Sequence, residues 1–429
     1  MKFDSKLDNI RCKLLVYGFC SLFTNIVQAC LLCRNNTMYD VVTWIQFVDK
    51  PIYSYQNESL IQEALENVAR DYRFAEVYRK ADRLPNETKF ILLWTTKELA
   101  PFYVLGHGQR KFIEKNCTYI NCYVTSDRYL FDGDTTKFDA VAFNGRSIVT
   151  MSKSQLPYRR SDHQKFIYFN MESADNYPIC SPYFDDFFNW TSTYRLDSDI
   201  PFPYLQVRDR EGEIIGPKAG MVWDETEGNI DEDLFYRIQN KTKAVAWFVS
   251  NCKSRSHRLE VAKELQRALS VYGYSVDIYG KCGPYTCPRE QEDSCNSILE
   301  KDYFFYLSFE NSFSEDYVTE KLLTALQHDV VPIVFGGADY SRFLPPGSYL
   351  DARKSTPEEL ASTIVTLIEY PKTYSHYLSW KRKFTYKNPM YDDNLCDVCA
   401  ALNERMDKHT TYKDFRAWWV PNYEKRCVE

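Results

Sequence analysis

Three short stretches place reactive side chains just beyond apolar runs. In FYLSFENSFSEDYVTEKLLTALQHDVVPIVFGG, residues 305–337, a strand-like segment gives way to a loop of Asn, Ser, Glu and Asp, and a helical pattern begins near Tyr317. Tyr317, Glu320 and Lys321 stand at i, i+3 and i+4, the spacing that shares one helix face. Val318, Leu322, Ala325 and Leu326 form the stripe such a helix buries. A helix start offers free N–H groups and partial positive charge to a phosphate, and a lysine there adds a full charge. Glu320 beside it can accept hydrogen bonds from ribose or sugar hydroxyls. The second stretch is AVAWFVS, 244–250, followed by NCKSRSH and a helical pattern from Arg258. Arginine grips phosphate with two parallel donors. Cations at two strand ends of one sheet fit a nucleotide diphosphate. The third is KFIYFN, 165–170, which runs into MESADNYP and leaves Glu172 at a strand's carboxyl end, where a carboxylate can take a proton from a hydroxyl. The plainer alternatives are a solvated first turn capped by Asp316 and Glu320, and a surface glutamate in a loop. The chain contains no G-x-x-x-x-G-K-S/T loop and no G-x-G-x-x-G fingerprint, which excludes the two commonest glycine-rich phosphate cradles.

Positioning these residues takes a particular architecture. Strand patterns fall at 89–94, 119–124, 139–143 and 166–170, then again at 244–250, 276–280, 304–309 and 330–336; helices fit 258–269, 317–327 and 357–369. Strands alternating with helices predict α/β units with largely parallel sheets. The simplest arrangement is two such domains, 89–225 and 240–385, facing a cleft, because ligands of open parallel sheets bind beyond the carboxyl ends of the strands. Residues 208–241 are polar and rich in Asp, Glu and Gly, an inserted loop or linker. Residues 386–429 read as a polar tail without a strand pattern.

The chain has 429 residues, 44% of them hydrophobic, and a net charge of −6, which argues against binding nucleic acid through bulk electrostatics. Its 33 Tyr, 27 Phe and 8 Trp suit sugar-stacking clefts, although most must be core. The run LLVYGFCSLFTNIVQACLLC, 14–33, is long enough to cross a bilayer, with Lys2, Lys6, Arg11 and Lys13 before it. Positive charge on that side predicts a cytoplasmic tail at 1–13, an anchor at 14–33 and a lumenal stem at 34–88. A cleaved signal peptide is the alternative, which would leave a secreted soluble protein. Six N-x-S/T sequons, at Asn35, Asn57, Asn86, Asn116, Asn189 and Asn240, agree with a lumenal body. Four of the 14 cysteines lie in or beside the apolar run; the other ten are an even number and suggest disulfides. Zinc at Cys396-x-x-Cys399 competes with that reading but lacks a second ligand pair of suitable spacing. Three D-x-D triplets, Asp132–Asp134, Asp197–Asp199 and Asp231–Asp233, have the form that holds a divalent metal on a diphosphate, in a chain acidic enough to produce such triplets by chance.

FENSFSEDYVTEKL followed by VPIVFGG resembles the donor motif of α1,3-fucosyltransferases, glycosyltransferase family 10. FNWTSTYRLDSDIPFPY (188–204), KTKAVAWFVSNCKSRSHRLE (241–260) and CYVTSDRYLFDGDTTKFDAVAF (122–143) resemble further blocks of that family, in order, over roughly residues 90–400. The resemblance implies a GT-B fold of two Rossmann-like domains and inverting transfer of fucose from GDP-fucose to a GlcNAc hydroxyl. It implies Glu172 as general base, Arg258 and Lys321 on the diphosphate with a hydroxyl from Tyr317, and Asn311 and Glu320 on ribose or fucose. It implies no essential metal, with Mn²⁺ stimulation left open, and a type II Golgi membrane protein. In similar enzymes two cysteines of the first domain pair with a C-terminal C-x-x-C, which maps to Cys117–Cys396 and Cys122–Cys399, with the crossed pairing open. Cys252 and Cys282, at adjacent βα loops, are a further candidate pair; Cys180, Cys287, Cys295 and Cys427 have no assignment. The motif style is that of plant and invertebrate core enzymes, which favours an N-glycan core acceptor. A distal core GlcNAc, LacNAc or LacdiNAc antennae, and an inactive glycan-binding relative are the other readings.

Overall fold

The structure is a computed structural model that describes residues 88–224, 232–389, 394–407 and 410–427. The expected anchor at 14–33, the stem, Asp231 and the sequons at Asn35, Asn57 and Asn86 lie outside the described residues. Among the described residues no helix is long and apolar enough to cross a membrane.

Two five-stranded parallel sheets form the body. The first is built from β1 (Lys89–Leu93), β2 (Cys122–Thr125), β3 (Ala140–Asn144), β4 (Lys165–Asn170) and β5 (Trp190–Thr193), in the order β2-β1-β3-β4-β5. A small antiparallel sheet comes next, with β6 (Gln206–Arg208) between β7 (Ile214–Gly216) and β13 (Thr385–Lys387). The second parallel sheet holds β8 (Lys243–Phe248), β9 (Val276–Tyr279), β10 (Tyr303–Phe309), β11 (Val331–Phe335) and β12 (Leu350–Asp351), in the order β12-β11-β10-β8-β9. Each parallel sheet therefore starts in its interior, steps one way, then crosses back. The direction reverses between β1 and β3 in one sheet and between β8 and β10 in the other. Such switch points leave a crevice between diverging loops where ligands settle.

The strands read as continuous apolar runs because both faces are covered; every residue of β3, β4 and β10 is buried. Helices Arg258–Ser270 and Pro357–Glu369 pack against the second sheet through Leu265, Leu269, Leu360 and Ile364. The second of these begins with Thr356 and Glu359 exchanging hydrogen bonds as a capping box, with Pro357 in the first turn.

The expected polar linker and tail both hold structure. Residues 208–241 contribute strand β7 and the helix Glu232–Gln239, whose Leu234 and Ile238 enter the second core. The tail carries helices Asn394–Glu404 and Phe415–Trp419, and Phe415 and Trp419, both 0% exposed, complete the first domain's aromatic core against Tyr168 and Phe188. Short helices with few apolar residues carry too little periodicity to be seen in sequence. Trp419→Ala is expected to destabilise the protein by about 3–5 kcal/mol, as removal of a fully buried indole does. Urea unfolding under non-reducing conditions measures it; a loss under about 1 kcal/mol contradicts the role.

Five disulfides use all ten described cysteines: Cys117–Cys396, Cys122–Cys399, Cys180–Cys427, Cys252–Cys282 and Cys287–Cys295. The first three fasten the tail to the first domain across separations of 279, 277 and 247 residues. Asn116 and Asn240 are exposed, as a glycan requires. Asn189 is 7% exposed, its Nδ2 donates to the Thr410 carbonyl at 2.9 Å, and its Oδ1 accepts from the Phe166 amide at 2.8 Å.

Lys241 enters the second domain with its amine buried, donating to the Glu300 carbonyl. Burial pushes the amine down to about 8 from 10.5, against the attraction of Asp329. In the unfolded chain the amine keeps its proton up to about 10.5, so below about 8 the fold holds a charge it disfavours. That cost fades as pH rises from 8 to 10.5. Relative to Lys241→Met, the wild-type unfolding free energy is expected to climb across that window by up to about 3 kcal/mol. Parallel curves for the two proteins would contradict it.

Candidate active site

The site forms where the second sheet's switch point meets the loop after β4. Arg258 opens its helix directly beyond β8 and lies almost wholly buried, at 4% exposure. Its Nη1 donates to the Phe309 carbonyl at the end of β10, at 2.6 Å, and its Nη2 to the Asn251 carbonyl at 3.3 Å. The guanidinium thus spans the crevice between β8 and β10. Its Nε is buried without a partner, and among the described residues no carboxylate lies in contact with the group. Burial lowers its proton affinity, with Glu310 acting in the opposite sense. The Cys252–Cys282 disulfide ties the loop that delivers it to the end of β9.

The loop after β10 begins with Glu310, whose amide bonds to the Phe335 carbonyl at 2.8 Å and whose carboxylate is fully enclosed. That carboxylate accepts from the amide and hydroxyl of Thr319 at 2.8 and 2.9 Å, and Lys321 Nζ lies 3.4 Å away. Burial pushes Glu310 up; Lys321 partly offsets this. The amine of Lys321 also meets Thr319 Oγ1 at 2.7 Å and Glu320 Oε1 at 3.0 Å. Burial alone would lower its proton affinity, but Glu310 and Glu320 outweigh that and raise it. Lys321 is therefore a fixed ammonium ion. Gly337 lets the loop lie this close, because a Cβ there would meet the Ser314 amide at 2.5 Å.

The helix starts at Glu320, not at Tyr317. Asp316, at φ +56°, turns the chain, and its enclosed carboxylate accepts from the Leu196 amide and from Arg342 at 2.9 Å. Tyr317 thus points into the aromatic core, 2% exposed, edge-on to Tyr194 at 4.9 Å, rather than sharing a helix face with Glu320 and Lys321. Its ring also meets Tyr204, whose hydroxyl donates to the Met171 carbonyl, the residue before Glu172.

Glu172 sits just past β4 in a turn that Asn170 closes by accepting from the Glu172 amide at 2.9 Å. The next residues bind the loop after β10 directly. Ser312 Oγ and Ser173 Oγ are 2.5 Å apart, Asp175 N donates to Ser314 Oγ at 3.1 Å, and Asn176 Nδ2 donates to Asn311 Oδ1 at 3.3 Å. Arg258, Glu320 and Lys321 thus act on one another electrostatically, Glu172 and Glu320 both act on the core-buried Tyr317, and Asn311 joins the loop after β4 through Asn176. Sequence reasoning missed Glu310, Thr319 and Tyr204. A charged residue immediately after a seven-residue apolar strand was the available signal for Glu310.

Three of the D-x-D acids are engaged elsewhere. Asp197 pairs with Arg195 at 2.8 Å and accepts from Trp418, Asp199 accepts from Thr191 and Tyr412, and Asp134 caps Thr136.

Two parallel sheets, with a carboxylate at one strand end and buried cations at a switch point, are an arrangement suited to binding a nucleotide-activated substrate. Residues 86–205 match the family described as Fucosyltransferase, N-terminal, and residues 238–418 match Glycosyltransferase family 10 (fucosyltransferase) C-term. Alpha-(1,3)-fucosyltransferase C of Drosophila melanogaster is 35% identical over 79% of this chain and 79% of its own. Glycoprotein 3-alpha-L-fucosyltransferase A of the same fly is 35% identical over 77% of this chain and 60% of its own. Alpha-(1,3)-fucosyltransferase fut-1 of Caenorhabditis elegans is 30% identical over 80% and 72%. The chain belongs to glycosyltransferase family 10, the fucosyltransferases.

Proposed function

We propose that this enzyme moves fucose from GDP-fucose to a GlcNAc hydroxyl of glycoprotein N-glycans, forming an α1,3 linkage with inversion. The observation that carries the donor reading is Arg258: a buried guanidinium held by two neutral carbonyls, with its Nε unpaired and no carboxylate in contact. Burying a cation without an anion is costly, and a diphosphate supplies the anion. Negative charge grows on the leaving phosphate as the bond to the anomeric carbon breaks. Arg258 and Lys321 act on that charge most strongly in the transition state, which is what accelerates the step. The fucosyl ring becomes oxocarbenium-like. Glu172, entering from the other sheet, accepts the proton of the attacking hydroxyl. Asn311 and Glu320 hold ribose or fucose hydroxyls, and Tyr317 supports the donor from the wall.

In this reading the two sheets are the Rossmann-like halves of a GT-B enzyme, and the basic residues take the place of a metal. The engagement of Asp134, Asp197 and Asp199 in structural bonds supports that. The basic N-terminus before an apolar run, the sequons and five disulfides support a type II protein with its catalytic part in the Golgi lumen.

Incubation with GDP-fucose and a panel of N-glycans and LacNAc oligosaccharides, with and without EDTA, tests the proposal. Product mass and linkage analysis are expected to show α1,3-fucose on a GlcNAc, undiminished by EDTA. GDP-fucose binding without transfer to any acceptor would instead mark a glycan-binding relative. Loss of transfer in EDTA would overturn metal independence.

A further inference from the structure

The loop that carries Glu172 has no regular element to hold it. Residues 171–180, between β4 and the short helix Pro182–Phe184, form neither helix nor strand. Within the loop, the Ser173 carbonyl accepts from the amides of Asn176 and Tyr177 at 3.2 and 3.0 Å, which closes one turn. Further anchors come from the tail. Trp419 Nε1 donates to the Tyr177 carbonyl at 3.0 Å, and Arg416 Nη1 donates to the Cys180 carbonyl at 3.3 Å. Cys180 itself is bonded to Cys427. A side chain on an irregular loop keeps a productive position only as well as its neighbours hold the loop.

Of these tail contacts, that of Arg426 falls nearest Glu172 along the chain. Arg426 ends the one-turn helix Tyr423–Arg426 and directly precedes Cys427. Its Nη2 donates to the Asp175 carbonyl at 2.9 Å and stands 3.0 Å from the Asp175 carboxylate. Both side chains are mostly shielded from water, which leaves the pair a charge-assisted bond of good geometry. Asp175 is also where the loop meets the other half of the site, since its amide donates to Ser314 Oγ, in the loop after β10, at 3.1 Å. Ser173 and Asn176, to either side, bond to Ser312 and Asn311 of that same loop. Asp175 thus joins the tail to the loop after β10, three positions beyond Glu172.

We propose that Arg426 is a positioning residue for the transfer reaction: with the Cys180–Cys427 disulfide beside it, it holds the loop after β4 against the loop after β10 and so sets where Glu172 stands relative to the donor. The inference rests on Glu172 as the base. The disulfide fixes the far end of the loop and brings Arg426 to it; the guanidinium, on both the carbonyl and the carboxylate of Asp175, fixes the middle. Without them the stretch from Glu172 to Cys180 is free to shift. A reacting group displaced by about 1 Å loses up to about 10²-fold in rate. Arg258 and Lys321 stand on loops of the second sheet that Arg426 does not touch, so the brace acts on the chemical step and not on donor affinity.

The test reads kcat at saturating donor and acceptor, GDP affinity by calorimetry, and amide hydrogen exchange over residues 172–180, all well below the unfolding temperature. Arg426→Met is expected to lower kcat by about 10-fold or more, to speed exchange in that stretch, and to leave GDP affinity at its wild-type value. Arg426→Lys should recover part of the rate, since it keeps the charge and loses the fork. Replacing Cys180 and Cys427 together by alanine should cost at least as much as Arg426→Met. Replacing Cys287 and Cys295 together removes a disulfide that joins neither the loop nor the tail, and should keep wild-type kcat. Wild-type kcat in Arg426→Met, a fall in GDP affinity matching the fall in kcat, or an equal loss in the Cys287 and Cys295 variant overturns the proposal. Glu172→Gln separates the underlying reading. Retained transfer there removes the base assignment, whereas an inactive Glu172→Gln beside wild-type kcat and exchange in Arg426→Met removes only the brace.

Discussion

Arg258→Ala is expected to lower kcat/KM for GDP-fucose by about 10³-fold, equivalent to about 4 kcal/mol of transition-state stabilisation. The size reflects where the charge sits. An exposed arginine lost from a phosphate site costs little, because water screens what remains. Arg258 is 4% exposed, bridges the ends of β8 and β10, and among the described residues has no carboxylate in contact to absorb its field. Its interaction with a developing phosphate charge is correspondingly strong. Alanine also strips donors from the Phe309 and Asn251 carbonyls, so some stability is lost as well. Arg258→Lys keeps the charge and discards the fork, and should recover a minor part of the rate. Steady-state kinetics with GDP calorimetry on both variants decide the matter. Wild-type GDP affinity in Arg258→Ala would remove this residue from the diphosphate.

Glu172→Gln is the second large effect, a loss of about 10²–10⁴ in kcat with GDP affinity unchanged. The substitution is close to isosteric, and the Asn170 bond to the residue's amide does not depend on its side chain. The turn, and the contacts of Ser173, Asp175 and Asn176 with the opposite loop, should therefore persist. Single-turnover transfer with saturating donor isolates the chemical step. Activity within roughly a factor of ten of wild type would show that another group takes the proton.

The strand ends are legible because buried parallel strands announce themselves as unbroken apolar runs; KFIYFN and AVAWFVS need no homologue to be seen. The loops and helix starts beyond the strand ends are harder. Spacing alone begins the helix after the donor loop at Tyr317 instead of Glu320, because Val318 continues the apolar stripe and nothing local marks the left-handed turn at Asp316. The same spacing draws Tyr317 onto a helix face when its ring belongs to the tyrosine cluster. Glu310 depends on tertiary placement: it is an ordinary charged residue until β11 is laid beside it. The tail looks polar because its two core aromatics sit in short helices among charged neighbours.

That tail bears on how the protein is made. Phe415 and Trp419 fill the core beneath β4, and Cys117, Cys122 and Cys180 find their partners at Cys396, Cys399 and Cys427. A ribosome that has produced residues up to 205 has supplied every strand of the first sheet, but neither the indole that closes its underside nor three of its disulfide partners. The first sheet is thus begun first and finished last, since its core and three of its disulfides can close only once the tail has been made.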